Sequence, residues 1–262
     1  MEKDNIITND YEFLQPCASE SEIGKIVEYI DKEFKTDGTS HGQYENCVRL
    51  SNFIKNNEIT IGEIEAERLL NESTKLNEMF NLDFDFNSPV ILITGGSQGA
   101  QIFNEIIPQA LANLQMLDLQ VLHLAGKGKT QSALDIYKNV PFKYCVLEET
   151  SNMELFYGAA DFAICRSGGG TLSELAMFKV AALLIPYPYA AELHQDANAD
   201  YFVANNGAIK LDNQNLDAQK VSDVLQKLFE EEQALSQMRS NVAALAVPQA
   251  AKVFLNAIES KL

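Results

Sequence analysis

A short apolar run, PVILIT at 89–94, gives way at once to GGSQGA and then to the helical pattern QIFNEIIPQALANL. The same succession returns in DFAICRS, at 161–167, followed by GGGTLSELAMFK. LQVLHLAG at 119–126 and VAALLIPYP at 180–188 read as further apolar strands. NMELFYGA, 215–245 and 248–262 read as helical, and HQDANADYFVANNG as a helix stopping at Gly207. Short strands alternating with helices, without hairpin turns, predict an α/β fold: a doubly wound parallel sheet wrapped by helices. In such sheets ligands bind at the carboxyl ends of the strands, where the glycine-rich turns of this chain fall.

Residues 1–86 follow another pattern. Apolar residues at helical spacing (Ile23, Ile26, Val27, Ile30, Phe34; then Cys47, Leu50, Phe53, Ile54; then Ile61, Ile64, Leu69, Leu76, Phe80) predict a small, mainly helical segment. It holds about 19 acids against 8 bases, which concentrates the negative charge there. The expected organisation is therefore 1–86, an acidic helical segment for packing or interaction, and 87–262, a Rossmann-like domain.

The chain of 262 residues carries a net charge of -17, which argues against nucleic-acid binding and against simple electrostatic docking to anionic lipid. Its four cysteines show no CxxC spacing and are too sparse for a disulfide scaffold. MEKDNIITND is acidic and polar, unlike a secretory leader, and no long apolar run suggests a membrane span. The expectation is a cytoplasmic protein. A peripheral membrane role would require an apolar patch.

Three stretches carry chemistry. In GGSQGA, Gly96 and Gly99 allow a tight turn and close approach of a phosphate to backbone N–H groups, and Ser97 adds a hydroxyl. A ligand-free strand-to-helix turn is the plainer alternative. A nicotinamide dehydrogenase would want GxGxxG and an acid after the next strand, whereas that strand ends HLAGKGK. In CRSGGGTLSEL, Ser167 and Gly168 open a helix whose N–H groups can face a phosphate or sugar oxygen. Arg166 can fork to a phosphate or pair with a local acid, and Glu174 can accept from a ribose diol or serve only as a helix-start acid. In PYPYAAELHQDANA, a helix beginning near His194 puts Gln195 and Asn198 on one face, where amides suit sugar hydroxyls. No metal-ligand motif appears.

GGSQGA, CRSG..T..SE and HQ..NA after PYPY, in this order, resemble the C-terminal half of the MurG family of GT-B glycosyltransferases over about two thirds of the chain. That family moves N-acetylglucosamine (GlcNAc) from UDP-GlcNAc to a lipid-linked muramyl peptide in peptidoglycan synthesis. The resemblance implies that Gly96, Ser97 and Gly99 lie at the diphosphate, with Ser167 and Gly168 beside them. It implies that Glu174 holds the ribose, that His194 and Gln195 face the donor sugar, and that Asn198 lies below them. Thr150 falls where backbone groups read the uracil, although Glu149 replaces the usual aromatic before it. Gly169 replaces an alanine, and Lys179 and Ala181 replace a Gly-x-Pro.

The family's N-terminal half carries a glycine-rich loop with a histidine, thought to be the general base, and the acceptor surface. No such loop occurs in 1–86, where His41 in GTSHGQ follows no apolar strand. The expectation is a UDP-GlcNAc-binding half, with no resident cofactor and no catalytic residue assigned. It would act on a lipid-linked acceptor at the inner face of the plasma membrane, through a separate acceptor-binding chain or a membrane-associated partner. A non-catalytic UDP-sugar-binding or protein-interaction module and a UDP-sugar hydrolase are the alternatives.

Overall fold

The computed structural model describes residues 75–96, 99–114, 118–231, 233–248 and 250. The helical readings before residue 75, His41, Ser97 and residues 251–262 of the terminal helix lie outside the described residues. The fold belongs to the unit Gly62–Ala246; of the other, Met1–Ile61 with Val247–Leu262, only 247, 248 and 250 are described.

Strand β1 (Val90–Thr94) leads into helix α1 (Gln101–Ala112), β2 (Gln120–Leu124) into α2 (Thr130–Tyr137), and β3 (Lys143–Leu147) into α3 (Met153–Ala159). The second half runs β4 (Phe162–Cys165), α4 (Gly169–Phe178), β5 (Ala181–Leu184), α5 (His194–Ala204) and β6 (Ala208–Lys210), then α6 (Ala218–Glu230) and α7 (Ala234–Ala243). All strand pairs are parallel, in the order β3-β2-β1-β4-β5-β6. This is the expected doubly wound sheet, with its switch point between β1 and β4.

The strands alternate between two cores, as a period of two requires. Ile91, Ile93, Val121, Phe162, Ile164 and Leu183 bury against Phe103 and Ile107 of α1 and Val221 and Leu225 of α6. Val90, Leu92, Leu122, Ala163, Cys165 and Leu184 bury on the opposite face with Phe156, Leu175 and Val242. Leu76 and Phe84 join that second core, so the segment leading into β1 is built into the sheet's packing; residues 75–80 are helical there. Asn77 holds the entry by exchanging hydrogen bonds with both backbone groups of Phe84.

Two edge strands and α2 carry weak sequence signals. β3 buries only Cys145 fully, and β6 is three residues long. The end of α5 also differs from expectation. Asn206, not Gly207, takes the left-handed conformation (φ 54), donating to Val203 O while Gly207 N–H donates to Phe202 O. This is a Schellman stop. Gly207 is needed because an added Cβ there would lie 2.9 Å from a Val242 methyl.

Candidate functional site

Thr94 and Cys165 are register partners, so the turns that follow β1 and β4 leave the sheet side by side at the switch point. Both turns enter helices whose capping positions, Ala100 and Gly168, supply no side-chain cap. Among the described residues α6 alone of helices α1 to α7 has a side-chain cap, Asp217 on Lys220 N–H, so these two starts are set apart by their place at the switch point. The uncapped starts leave N–H groups and the positive ends of two helix dipoles directed toward the carboxyl end of the sheet, an arrangement suited to an anion.

The glycines of the first turn serve different ends. Gly96 is exposed with φ 82 and open space where a Cβ would be. Gly99, at φ 65, would drive a Cβ to 2.2 Å from Ala125 O, so it packs this turn against the end of β2. A Cβ added at Gly95 would lie 2.2 Å from Ala100 N. Gly99 N–H closes the turn on Gly96 O at 2.9 Å.

The second turn is laced to the loop after β5. Ser167 is fully buried; its hydroxyl donates to Gln195 O at 2.7 Å. Asn198 Nδ2 donates to Ser167 O at 3.0 Å, and Gln195 Oε1 accepts from Tyr187 N–H at 3.0 Å. Arg166 Nη1 donates to Ile185 O, Pro186 O and Asn213 Oδ1, and the guanidinium lies 4.6 Å from the Phe103 ring of α1. Burial lowers its pKa to about 10, so it stays charged at neutral pH. The charge is shared among carbonyls, an amide and aromatic faces, which leaves its field available to an anion.

Glu174 sits in the second turn of α4, half-buried, and its carboxylate accepts from the buried phenol of Tyr157, which Thr171 also contacts. His194 begins α5, as expected, and is exposed. Its Nδ1 lies 2.8 Å from Ala191 O, and a carbonyl only accepts, so Nδ1 carries a proton and donates. The loop before it holds Glu192 at φ 50 and Leu193 at φ 54, two successive strained residues beside the site. Thr150 lies beyond the end of β3, where its hydroxyl accepts from Asn152 N–H at 3.1 Å.

Thus Gly96, Gly99, Arg166, Ser167 and Gly168 meet at the β1/β4 switch point, and Gln195 and Asn198 are tied to it by hydrogen bonds. Glu174 follows on α4, His194 on α5, and Thr150 lies two strands away after β3. The sequence offers Ser167 and Asn198 as ligand-facing groups and Arg166 as a phosphate fork or the partner of a local acid, whereas the polar atoms named above tie the second turn to α5, to the loop after β5 and to Asn213. Sequence reasoning missed Tyr157, which lies beneath Glu174, and gave no role to Asn104 and His123. Among the described residues no group of three or more His, Cys, Asp or Glu is placed to hold a metal ion, and no helix is long and apolar enough to cross a membrane.

Residues 90–254 match the glycosyltransferase family 28 C-terminal domain. The chain is 36% identical over 162 residues to a UDP-N-acetylglucosamine–N-acetylmuramyl-(pentapeptide) pyrophosphoryl-undecaprenol N-acetylglucosamine transferase of Methylococcus capsulatus, covering 62% of this chain and 46% of that protein. It is 35% identical over 177 residues to the enzyme of that name from Nostoc punctiforme, covering 68% and 48%. The crystal structure of MurG from Acinetobacter baumannii superposes with a TM-score of 0.63 at 28% identity, over 70% of this chain and 52% of that one. The chain therefore spans about half the length of the relatives it matches. With two uncapped helices meeting at the switch point of a 3-2-1-4-5-6 sheet and the family match running from β1 beyond α7, this chain belongs to the glycosyltransferase family 28 C-terminal domain family.

Proposed function

We propose that this chain is the donor-binding half of a MurG-like N-acetylglucosaminyltransferase, which takes GlcNAc from UDP-GlcNAc to a lipid-linked acceptor in peptidoglycan precursor synthesis. The observation that carries the reading is the pair of adjacent glycine turns that follow Thr94 and Cys165, with Arg166 at the base of the second. The diphosphate sits against the two helix starts, Glu174 takes the ribose hydroxyls, and His194 and Gln195 face the sugar. Thr150 lies at the uracil end. In transfer, the acceptor hydroxyl oxygen bonds to C1 of GlcNAc as the bond from C1 to the diphosphate oxygen breaks. The electron pair leaves with UDP, where the helix dipoles and the Arg166 charge stabilise it.

The acceptor hydroxyl is deprotonated by a group from a second half, supplied by another domain or by a separate membrane-associated chain, at the inner face of the plasma membrane. The match covers only about half of the relatives' length, which supports this division. Calorimetric titration with UDP-GlcNAc and with UDP tests the reading. Saturable binding that weakens in Glu174→Ala supports it. No heat at millimolar UDP or UDP-GlcNAc overturns it and leaves an interaction module. Release of UDP by the chain without a lipid acceptor points instead to a hydrolase.

A further inference from the structure

Beneath the first glycine turn lies a buried polar chain that the donor reading does not use. Asn104 on α1 and His123 on β2 are both fully buried. Asn104 Nδ2 lies 3.0 Å from Ala125 O and 3.2 Å from Lys129 O, the two ends of the turn after β2. Asn104 Oδ1 lies 3.0 Å from His123 Nε2, and His123 Nδ1 lies 3.1 Å from the Tyr137 hydroxyl on α2.

The two carbonyls fix the direction of every proton in this chain. Carbonyls only accept, so both Asn104 N–H groups are used on them. Asn104 Oδ1 must then accept, His123 Nε2 must carry the ring proton, and Tyr137 must donate to the bare Nδ1. The set is complete with a neutral imidazole, in keeping with the fall of the His123 pKa to about 3 caused by burial. Every donor has one acceptor and none is spare, which makes the arrangement stiff.

What the chain holds is the seam between two turns. Gly99 packs against Ala125 O and the Gly126 Cα, and Asn104 grips the same Ala125 carbonyl from one turn further along α1. Lys129 N–H closes the second turn on Gly126 O at 3.1 Å, and Asn104 donates to the carbonyl of Lys129. We propose that Asn104 is a positioning residue, with His123 and Tyr137 as its struts, that locks the first glycine turn to the Ala125–Lys129 turn and holds the start of α1 in place for a diphosphate. The proposal rests on the donor reading for its ligand, but the lock itself is a property of the free protein.

The test uses Asn104→Ala and the triple variant Asn104→Leu, His123→Leu, Tyr137→Phe. The triple variant replaces the three polar side chains by apolar groups and keeps the core filled, so that only the Ala125 and Lys129 carbonyls lose a donor. Amide hydrogen exchange of Gly99 and Lys129 is read without ligand, and UDP and uridine are titrated by calorimetry. The expected result is exchange at these two amides about tenfold faster in the triple variant than its change in global stability accounts for, with UDP weakened about tenfold and uridine within about twofold. Unchanged exchange overturns the lock, and equal weakening of UDP and uridine overturns its role at the diphosphate. If the unsubstituted chain binds neither ligand, the donor reading has failed and the exchange rates alone decide whether the lock exists.

Discussion

Asn198 donates its side-chain amide to the carbonyl of Ser167 at 3.0 Å, while the Ser167 hydroxyl donates to Gln195 O at 2.7 Å, so α5 and the second glycine turn hold each other in both directions. Asn198→Asp removes the donor and sets a carboxylate against a carbonyl. We expect a loss of about 2 kcal/mol in urea denaturation, from the unmade bond and the repulsion. UDP-GlcNAc binding should weaken more than UDP binding in calorimetry, because the displaced element carries Gln195. Equal weakening would place Asn198 at the diphosphate instead.

The two left-handed glycines of the first turn separate strain from collision. Gly96→Ala meets open space and suffers only the cost of φ 82, about 1 kcal/mol, with UDP affinity lowered as the new Cβ stands over the exposed turn. Gly99→Ala also drives its Cβ onto Ala125 O and forces the loops after β1 and β2 apart. Thermal melts should show the second variant several degrees below the first; the reverse order would mean that the turns are not packed as described.

The buried His123 makes acid stability asymmetric. Burial holds its pKa at about 3 in the fold, against 6.5 for a solvated imidazole, so between these values only the unfolded state binds the proton. The stability it confers is complete above about pH 6.5 and is lost toward pH 3, at up to ~1.4 kcal/mol per pH unit. His123→Gln lacks this titration. Urea midpoints taken from pH 7.5 to pH 5 should show the gap between the two proteins narrowing as pH falls, since the carboxylates are common to both.

Lys179 ends α4 in the left-handed region, at φ 58, with Val180 N–H donating to Leu175 O. A glycine fits this position without strain, so Lys179→Gly should raise stability by about 0.5–1 kcal/mol in spite of the added freedom of the unfolded chain. UDP affinity should not change, because Lys179 stands at the far end of α4 from Gly168.

What the sequence alone determined was the alternation of apolar strands and helices, the place of both glycine turns at strand ends, and the family motifs; β1, β4 and β5 are buried throughout, so their apolar runs are legible without a partner. The edge strands were not legible, because β3 is half exposed and β6 has too few residues to show a period. Tertiary structure decided that the turns after Thr94 and Cys165 are neighbours, since strand order is set by packing between segments distant in the chain. It also decided which polar groups face outward. Ser167, Asn198 and Arg166 have the chemistry of ligand-binding residues, yet their bonded polar atoms are taken up by carbonyls and an amide of facing loops, because a buried donor must find an acceptor wherever the fold supplies one.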